Sequence, residues 1–392
     1  CDCRLIYLDN AASTQIHDDV LTSMLPYLKE QYGNPSSIHR YGRLARKAVE
    51  KARKQIASLI NADPSEILFT SGGTESNITA LRGISMKNPS TQIITSSIEH
   101  DAILEPCKNL AQNGVDIDYL PVDHFGVVNY QDLKNHISEK TSLVSIMFGN
   151  NEVGTIQPIS EIAKICNEHN VPFHTDAIQA IGKIPINVKE LGVDLLSISS
   201  HKLYGPKGVG ALYIKNGIDI DPMILGGGQE HGLRSGTENV ANIVGFGKAC
   251  EIAKNNLDEN MLYVKKLRDL LVDKVLREIP EVTLNGDPQS RLPNNAHFTF
   301  LGVNGEDLII KLDEYGIAAS TGSACSVNTQ RASHVLQAMG FSHEQITGSL
   351  RLTMGVFNNE KEIEETVTSL KKIVEELRSF SPFKEKYSFS KV

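Results

Sequence analysis

Three short polar loops and one cysteine carry residues of types that do chemistry. Thr70-Ser71-Gly72-Gly73-Thr74-Glu75-Ser76 follows an apolar run and opens a segment of helical period. Its glycines let backbone approach a ligand closely, and free N–H groups with nearby hydroxyls suit a phosphate at the positive end of a helix. No Gly-Lys-Ser/Thr follows, so this is not a Walker loop; alone, it also reads as a glycine turn with a Thr cap. His174-Thr175-Asp176-Ala177-Ile178-Gln179 puts a carboxylate just after another apolar run. An aspartate there is either a helix N-cap or the partner of a cationic ligand atom. Ser199-Ser200-His201-Lys202-Leu203-Tyr204-Gly205 places a lysine beside a histidine in glycine-rich surroundings. Desolvation in such a cleft frees an amine as a nucleophile for Schiff-base chemistry, although most lysines are simply solvated.

Each signal is weak alone, but their order and spacing are specific. A phosphate cradle, a carboxylate after a later strand and a Schiff-base lysine are what pyridoxal 5'-phosphate requires, the carboxylate keeping the pyridine nitrogen protonated. Cys325 lies in Ser320-Thr321-Gly322-Ser323-Ala324-Cys325-Ser326-Val327-Asn328-Thr329, a small, polar stretch free of proline. Such a loop is expected to be exposed, and a thiolate there is a nucleophile. Cys166 and Cys250 fall in helical patterns and read as buried, inert thiols.

The elements that must position these residues alternate between apolar runs and helix-period segments, the pattern of a sheet built from βα units. Strands are predicted at Ile67 to Thr70, Gln92 to Thr95, Asp116 to Leu120, Leu143 to Phe148, Val171 to His174, Leu195 to Ser199 and Gly210 to Ile214. Helices are predicted at Leu44 to Leu59, Glu75 to Met86, Asp101 to Gln112 and Ser160 to His169, with Asp101 and Ser160 as N-caps. A long helical stretch is predicted from Glu238 to Ile279. Beyond Pro280 the order changes: strands Val282 to Leu284, His297 to Phe300 and Ile317 to Ser320, and helices Glu306 to Tyr315, Gln330 to Met339 and Lys361 to Phe380. The expected architecture is α/β: a large domain over 15–260 with a mainly parallel seven-stranded sheet, and a smaller α+β domain from 1–14 with 261–392.

Composition narrows the function classes. The 392 residues hold 39 basic and 47 acidic side chains, a net charge of -8, which offers no electrostatic footprint for nucleic acid. No apolar run approaches the ~18 residues of a membrane span. The six cysteines show no CxxC and no disulfide-scaffold density. The opening Cys1-Asp2-Cys3-Arg4-Leu5 lacks a signal-peptide pattern, and the cytoplasm is the expected location. The histidines outside these loops show no ligand spacing.

On these motifs the chain resembles the NifS/IscS-type cysteine desulfurases, within the class V aminotransferase group of PLP fold type I. The resemblance runs from Tyr7-Leu8-Asp9-Asn10-Ala11-Ala12 to about Lys386. It takes in Tyr32 to Ser37, Ser71 to Ser76, Glu99-His100, Asn150-Asn151-Glu152-Val153-Gly154, Asp176, Gln179, Ser199 to Lys202, Gly226 to Glu230, Arg234 to Asn239 and Gly322-Ser323-Ala324-Cys325. The cysteine loop separates desulfurases from aminotransferases, which lack it.

The resemblance implies that Lys202 holds the cofactor and later moves the substrate Cα proton, and that His100 stacks on the cofactor ring and serves as acid/base. It pairs Asp176 with the pyridinium nitrogen and Gln179 with the phenolic oxygen. It gives the phosphate to Gly73, Thr74, Ser199, Ser200 and His201, and places Asn151 at both cofactor and substrate. Thr237 is similar to the residue that reaches the phosphate of the other subunit, which implies a homodimer. Asn34, Asn151 and Arg351 resemble a clamp for the substrate carboxylate, which suits the planar fork of arginine. The implied reaction takes sulfur from L-cysteine, leaving L-alanine and a persulfide on Cys325.

The spacing from Cys325 to His334, Val335 and Leu336 resembles the longer-loop group. That group supplies sulfur to a scaffold protein for iron–sulfur cluster assembly or to other acceptors, tRNA thiolation among their uses. There the persulfide cysteine is also a transient [2Fe-2S] ligand, which is the one metal role open to Cys325. Selenocysteine lyase and cysteine desulfinase are the alternative activities on this fold. A non-catalytic sulfur carrier would have lost Lys202 or Asp176, and both are present. Three departures stand out: His231 where the family commonly has Arg, Ser200 where it has Gly or Ala, and a chain that ends soon after Ser381-Pro382-Phe383.

Overall fold

The computed structural model describes residues 5–87, 91–321 and 332–381. Twelve strands lie among these residues: β1 Ile6–Tyr7, β2 Ile67–Thr70, β3 Gln92–Ser96, β4 Asp116–Leu120, β5 Thr141–Ser145, β6 Phe173–Asp176, β7 Leu195–Ser199, β8 Gly210–Ile214, β9 Val282–Leu284, β10 Asn295–Phe300, β11 Ile317–Ala318 and β12 Ser349–Thr353. Seven of them form the main sheet in the order β2-β8-β7-β6-β5-β3-β4. Only β8 runs against its neighbours; the other pairings are parallel. The expected α/β class and seven-stranded sheet are therefore present.

Both sheet faces are covered, because alternate residues of a strand point to opposite sides. Phe69, Ile94, Val144, Phe173 and Leu196 join a core with Ile56, Ile60, Phe246 and Cys250. Their neighbours Leu68, Ile93, Leu143, Leu195 and Leu212 pack instead with Leu81, Ile103 and Leu110. Each such buried side chain contributes about 1.5–3 kcal/mol. Cys166 and Cys250 are buried free thiols, as expected, and burial pushes Cys166 up to about 12.

A second core gathers Ile6 and Leu8 with Leu267, Leu271, Phe298, Phe300, Leu350, Leu352, Leu370 and Ile373. Its three-stranded sheet has the order β12-β10-β9, and β1 pairs with β11 in a separate two-stranded sheet. The N-terminal residues thus belong with the C-terminal part: Ile6 faces Ile317 and Tyr7 faces Ala318.

Four local expectations are corrected. The long helical stretch is two helices, Val240–Asn255 and Leu257–Glu278. Asn256 leaves helical geometry (φ -119°, ψ 14°), and Asp258 and Glu259 open the second helix with negative charge at its positive end. Helix Asp101–Gln112 is capped by His100, whose ring accepts from Ala102 N, so Asp101 is its first helical residue. Helix Ile159–Glu168 starts after Pro158, inside which Ser160 is helical and not a cap. Strand β12 was not anticipated, although Arg351 lies at its centre.

Candidate active site

Strands β2, β3, β5, β6 and β7 run the same way, so their carboxyl ends share one edge of the sheet. Ligands of open α/β sheets bind at this edge. After β2 comes helix Gly73–Ser85, after β3 comes His100, after β5 Asn150 and Asn151, at the end of β6 Asp176, and at the end of β7 Ser199, followed by Ser200 to Lys202.

Lys202 sits in a 3-10 turn, Ser200–Lys202. Its Nζ donates to the carbonyls of Ala11 (2.6 Å) and Ala12 (2.7 Å). Gln179 Nε2 reaches the same Ala11 carbonyl at 2.9 Å. The N-terminal segment is therefore a third wall of the site, held there as Thr14 N and Oγ1 donate to the His201 carbonyl at 3.0 and 2.9 Å.

Asp176 is buried and accepts from two neutral donors, Asn77 Nδ2 at 2.7 Å and Ile178 N at 3.0 Å. Burial raises its pKa, opposed by those hydrogen bonds and by the His100 and Lys202 charges. A buried carboxylate lacking a cation in hydrogen-bond contact among the described residues matches a ligand that brings its own N–H cation. This donor set fits pyridoxal phosphate: an amine on Lys202, a carboxylate on Asp176 and an amide on Gln179. Beneath it, His174 is wholly buried between Ser145 Oγ and Ser197 Oγ, both at 2.8 Å, and burial pushes it down to about 3.

At the phosphate end, Ser71 N donates to Glu75 Oε2 (3.0 Å), and Arg234 Nε meets Glu75 Oε1 at 2.9 Å. Burial lifts the Glu75 carboxyl, but the Arg234 and Ser71 hydrogen bonds outweigh it and hold it below its usual range. Gly73 and Thr74 form the first turn of the helix. Ser199 is buried. The Ser200 hydroxyl is turned toward Gly205, occupying the space a Cβ there would need, and has no partner among the described residues. His201 Nδ1 lies 3.2 Å from Ser13 Oγ; burial, then Lys202, Lys207 and Lys183, push it down to about 4, so its ring is neutral. Thr237 is exposed and lines a cavity of about 190 Å3 with Ser71, Gly208, Glu230 and Arg234.

On the substrate side, Arg351 Nη1 donates to the Asn151 carbonyl (2.7 Å) and Nη2 to Asp9 Oδ1 (2.9 Å). Arg351 Nε is buried without a partner among the described residues, a donor suited to a carboxylate oxygen. Arg351 and Asn151 are thus brought together. Asn34 is exposed, and its Oδ1 accepts from Ser36 N at 2.9 Å; no described hydrogen bond links it to the other two.

Cys325 and the Gly322 to Ala324 motif lie outside the described residues. Just past them, Ser333 Oγ donates to Glu152 at 2.5 Å and caps helix His334–Ala338, and His334 Nε2 lies 2.9 Å from the Glu99 carbonyl. Burial raises the Glu152 carboxyl, opposed by Ser333, His334, Arg351 and His100.

Sequence reading missed Asn77 and Lys183, and did not assign a role to Asp9. Asn77 had a signal: it lies one helical turn past Gly73, on the side that returns to the sheet.

The aminotransferase class-V family matches residues 6–366. The cysteine desulfurase IscS of Dictyoglomus turgidum is 49% identical over 390 residues, covering 99% of each chain. The cysteine desulfurase IscS of Methanosarcina thermophila is 49% identical over 381 residues, 97% of this chain and 94% of its own. Among solved structures, a NifS-like protein superposes with a TM-score of 0.89 at 40% identity, covering 95% and 99%. SspA in complex with cysteine superposes at 0.81 with 36% identity, covering 90% and 100%. With this geometry and these relatives, the chain belongs to the aminotransferase class-V family, among its cysteine desulfurases of the IscS/NifS type.

Proposed function

We propose that the chain is a pyridoxal-phosphate-dependent cysteine desulfurase that moves the sulfur of L-cysteine onto Cys325. The observation that carries the reading is the meeting of Lys202, Gln179 and the buried Asp176 at one edge of the sheet. When bound, the cofactor withdraws electrons from the substrate Cα, which loosens the Cβ–S bond. Asp176 supports this by favouring a protonated ring nitrogen. Lys202 supplies the anchoring amine and, once displaced by substrate, a base for the Cα proton. His100 accepts from Ala102 N through Nδ1, so a proton that its ring carries or passes sits on Nε2. Arg351 and Asn151 receive the substrate carboxylate.

Cys325 acts as a thiolate. The Cβ–S bond breaks as an S–S bond forms, Cβ takes a proton, and the products are L-alanine and a Cys325 persulfide. No external oxidant is needed. A sulfur-acceptor protein, of the iron–sulfur scaffold kind or serving tRNA thiolation, then takes the sulfur. Transient [2Fe-2S] ligation by Cys325 on such a scaffold is part of the same reading.

A homodimer completes the proposal. Leu25, Leu28, Tyr32, Ile38, Tyr41 and Leu44 are all exposed along one stretch of chain, an apolar surface of the sort that marks protein contacts. No described helix is long and apolar enough to cross a membrane, and the cytoplasm is the proposed location.

The test is alanine release from L-cysteine by the purified protein with pyridoxal phosphate and a reductant, beside Cys325→Ala. Equal alanine and sulfide, lost in the variant, support the reading. Full activity in Cys325→Ala, or turnover of selenocysteine only, refutes it.

A further inference from the structure

We propose that Lys183 is a positioning residue for the cofactor lysine, tying the backbone of Lys202 to that of Gln179 so that both side chains converge on Ala11. The inference rests on the reading of Lys202 given above. Lys183 Nζ donates to the Gln179 carbonyl at 2.9 Å and to the Lys202 carbonyl at 3.3 Å. Gln179 Nε2 and Lys202 Nζ in turn both donate to the Ala11 carbonyl. The four residues close a ring of hydrogen bonds across three chain segments.

Sheet pairing cannot do this work. The β6–β7 ladder ends at Asp176 opposite Ser197, with a last bond from Ala177 N to the Ser197 carbonyl. Gln179 and Lys202 lie past that point, in separate turns. The two turns approach closely where Gly182 (φ +68°) meets Leu203: a Cβ on Gly182 would lie 3.2 Å from the Leu203 Cβ. That approach brings Lys183 within reach of both carbonyls.

The ammonium is not kept there by an ion pair. Lys183 is partly buried, and among the described residues it meets only carbonyl acceptors. Burial, and secondarily the Lys202 charge, pushes it down to about 7. A methionine would fill the same space without that cost, so what the ammonium adds is its donors.

The test uses wild-type, Lys183→Met, Lys183→Leu and Lys183→Arg apoproteins. Each is mixed with pyridoxal phosphate and reduced with borohydride at timed intervals, and peptide masses give the fraction trapped at Lys202. Thermal unfolding of the apoproteins is followed in parallel. Lys183→Met is expected to unfold cooperatively yet trap about tenfold more slowly, the effect of losing roughly one charge-assisted hydrogen bond. Lys183→Arg, which keeps charge and donors, recovers most of the rate. Should Lys183→Met not fold, Lys183→Leu, which likewise has no donor, carries the same comparison. Wild-type trapping rates in Lys183→Met or Lys183→Leu overturn the inference, as does Lys183→Arg trapping no faster than they do. Wild-type protein that takes no label at Lys202 sinks the cofactor reading itself, and the role of Lys183 with it.

Discussion

Arg351 is shared between Asp9 and Asn151, from segments 342 and 200 residues away. Its Nη2 meets the Asp9 carboxylate at 2.9 Å and its Nη1 the Asn151 carbonyl at 2.7 Å, while Nε stays without a partner among the described residues. Asp9 follows β1, Arg351 lies on β12 and Asn151 follows β5, so one guanidinium joins the second core to the edge of the main sheet. The two occupied nitrogens fix the orientation of the planar fork. In the proposed clamp, Nε is the donor left for a substrate carboxylate.

Arg351→Lys should therefore retain charge but lose the fork. The expected cost is about 1.5–3 kcal/mol, or roughly 10–150-fold in kcat/KM, carried mainly by KM. Initial rates of alanine release over a range of L-cysteine concentrations measure it, and an unchanged KM would remove Arg351 from the carboxylate clamp.

Asp176→Asn should cut alanine release by about 100-fold or more, because the group opposite the ring nitrogen no longer favours its proton. Asn77→Ala should have a smaller effect of the same kind, roughly 5–30-fold, because it removes one hydrogen bond that aims the carboxylate. The absorbance spectrum of the loaded protein checks both: Asn77→Ala should shift it part-way toward that of Asp176→Asn. A spectrum of Asp176→Asn matching wild type would contradict the pairing.

Glu99 is wholly buried, and burial pushes its carboxyl up from 4.5 to about 8, against hydrogen bonds from Ser96 Oγ (2.6 Å) and Met147 N (2.9 Å). A raised folded-state pKa means that the folded form holds its proton where the unfolded chain has lost it. Its contribution to stability is complete below pH 4.5 and falls away as pH rises toward 8. The slope is at most about 1.4 kcal/mol per pH unit. Glu99→Gln apoprotein should show a flatter stability profile across that window in urea unfolding. Parallel profiles for the two proteins would show that Glu99 does not carry the proton.

Much of the architecture was legible because it depends on local pattern. Short leucine- and isoleucine-bearing runs such as Leu195 to Ser199 mark strands buried on both faces, and Asp116 to Leu120 matches the observed strand end to end. Two strands were displaced, β5 lying earlier and β6 later than expected: β5 begins in the polar Thr141-Ser142 and β6 runs on into the polar Thr175-Asp176, outside the apolar runs. The helix break at Asn256 was hidden because helix-period spacing resumes one residue later.

The sequence by itself determined the kinds of group at the site and the strand ends on which they fall: Lys202, Asp176, Gln179 and the glycine loop at Gly72. Those follow from residue type and from short-range pattern. Only the tertiary structure decided which group meets which. Asn77 finds Asp176 across 99 residues, Lys202 finds Ala11 across 191, and Arg351 finds Asp9 across 342. A hydrogen bond needs its two atoms within about 3 Å, and such closeness between distant segments comes from strand order and from the packing of the two cores, which no local spacing encodes.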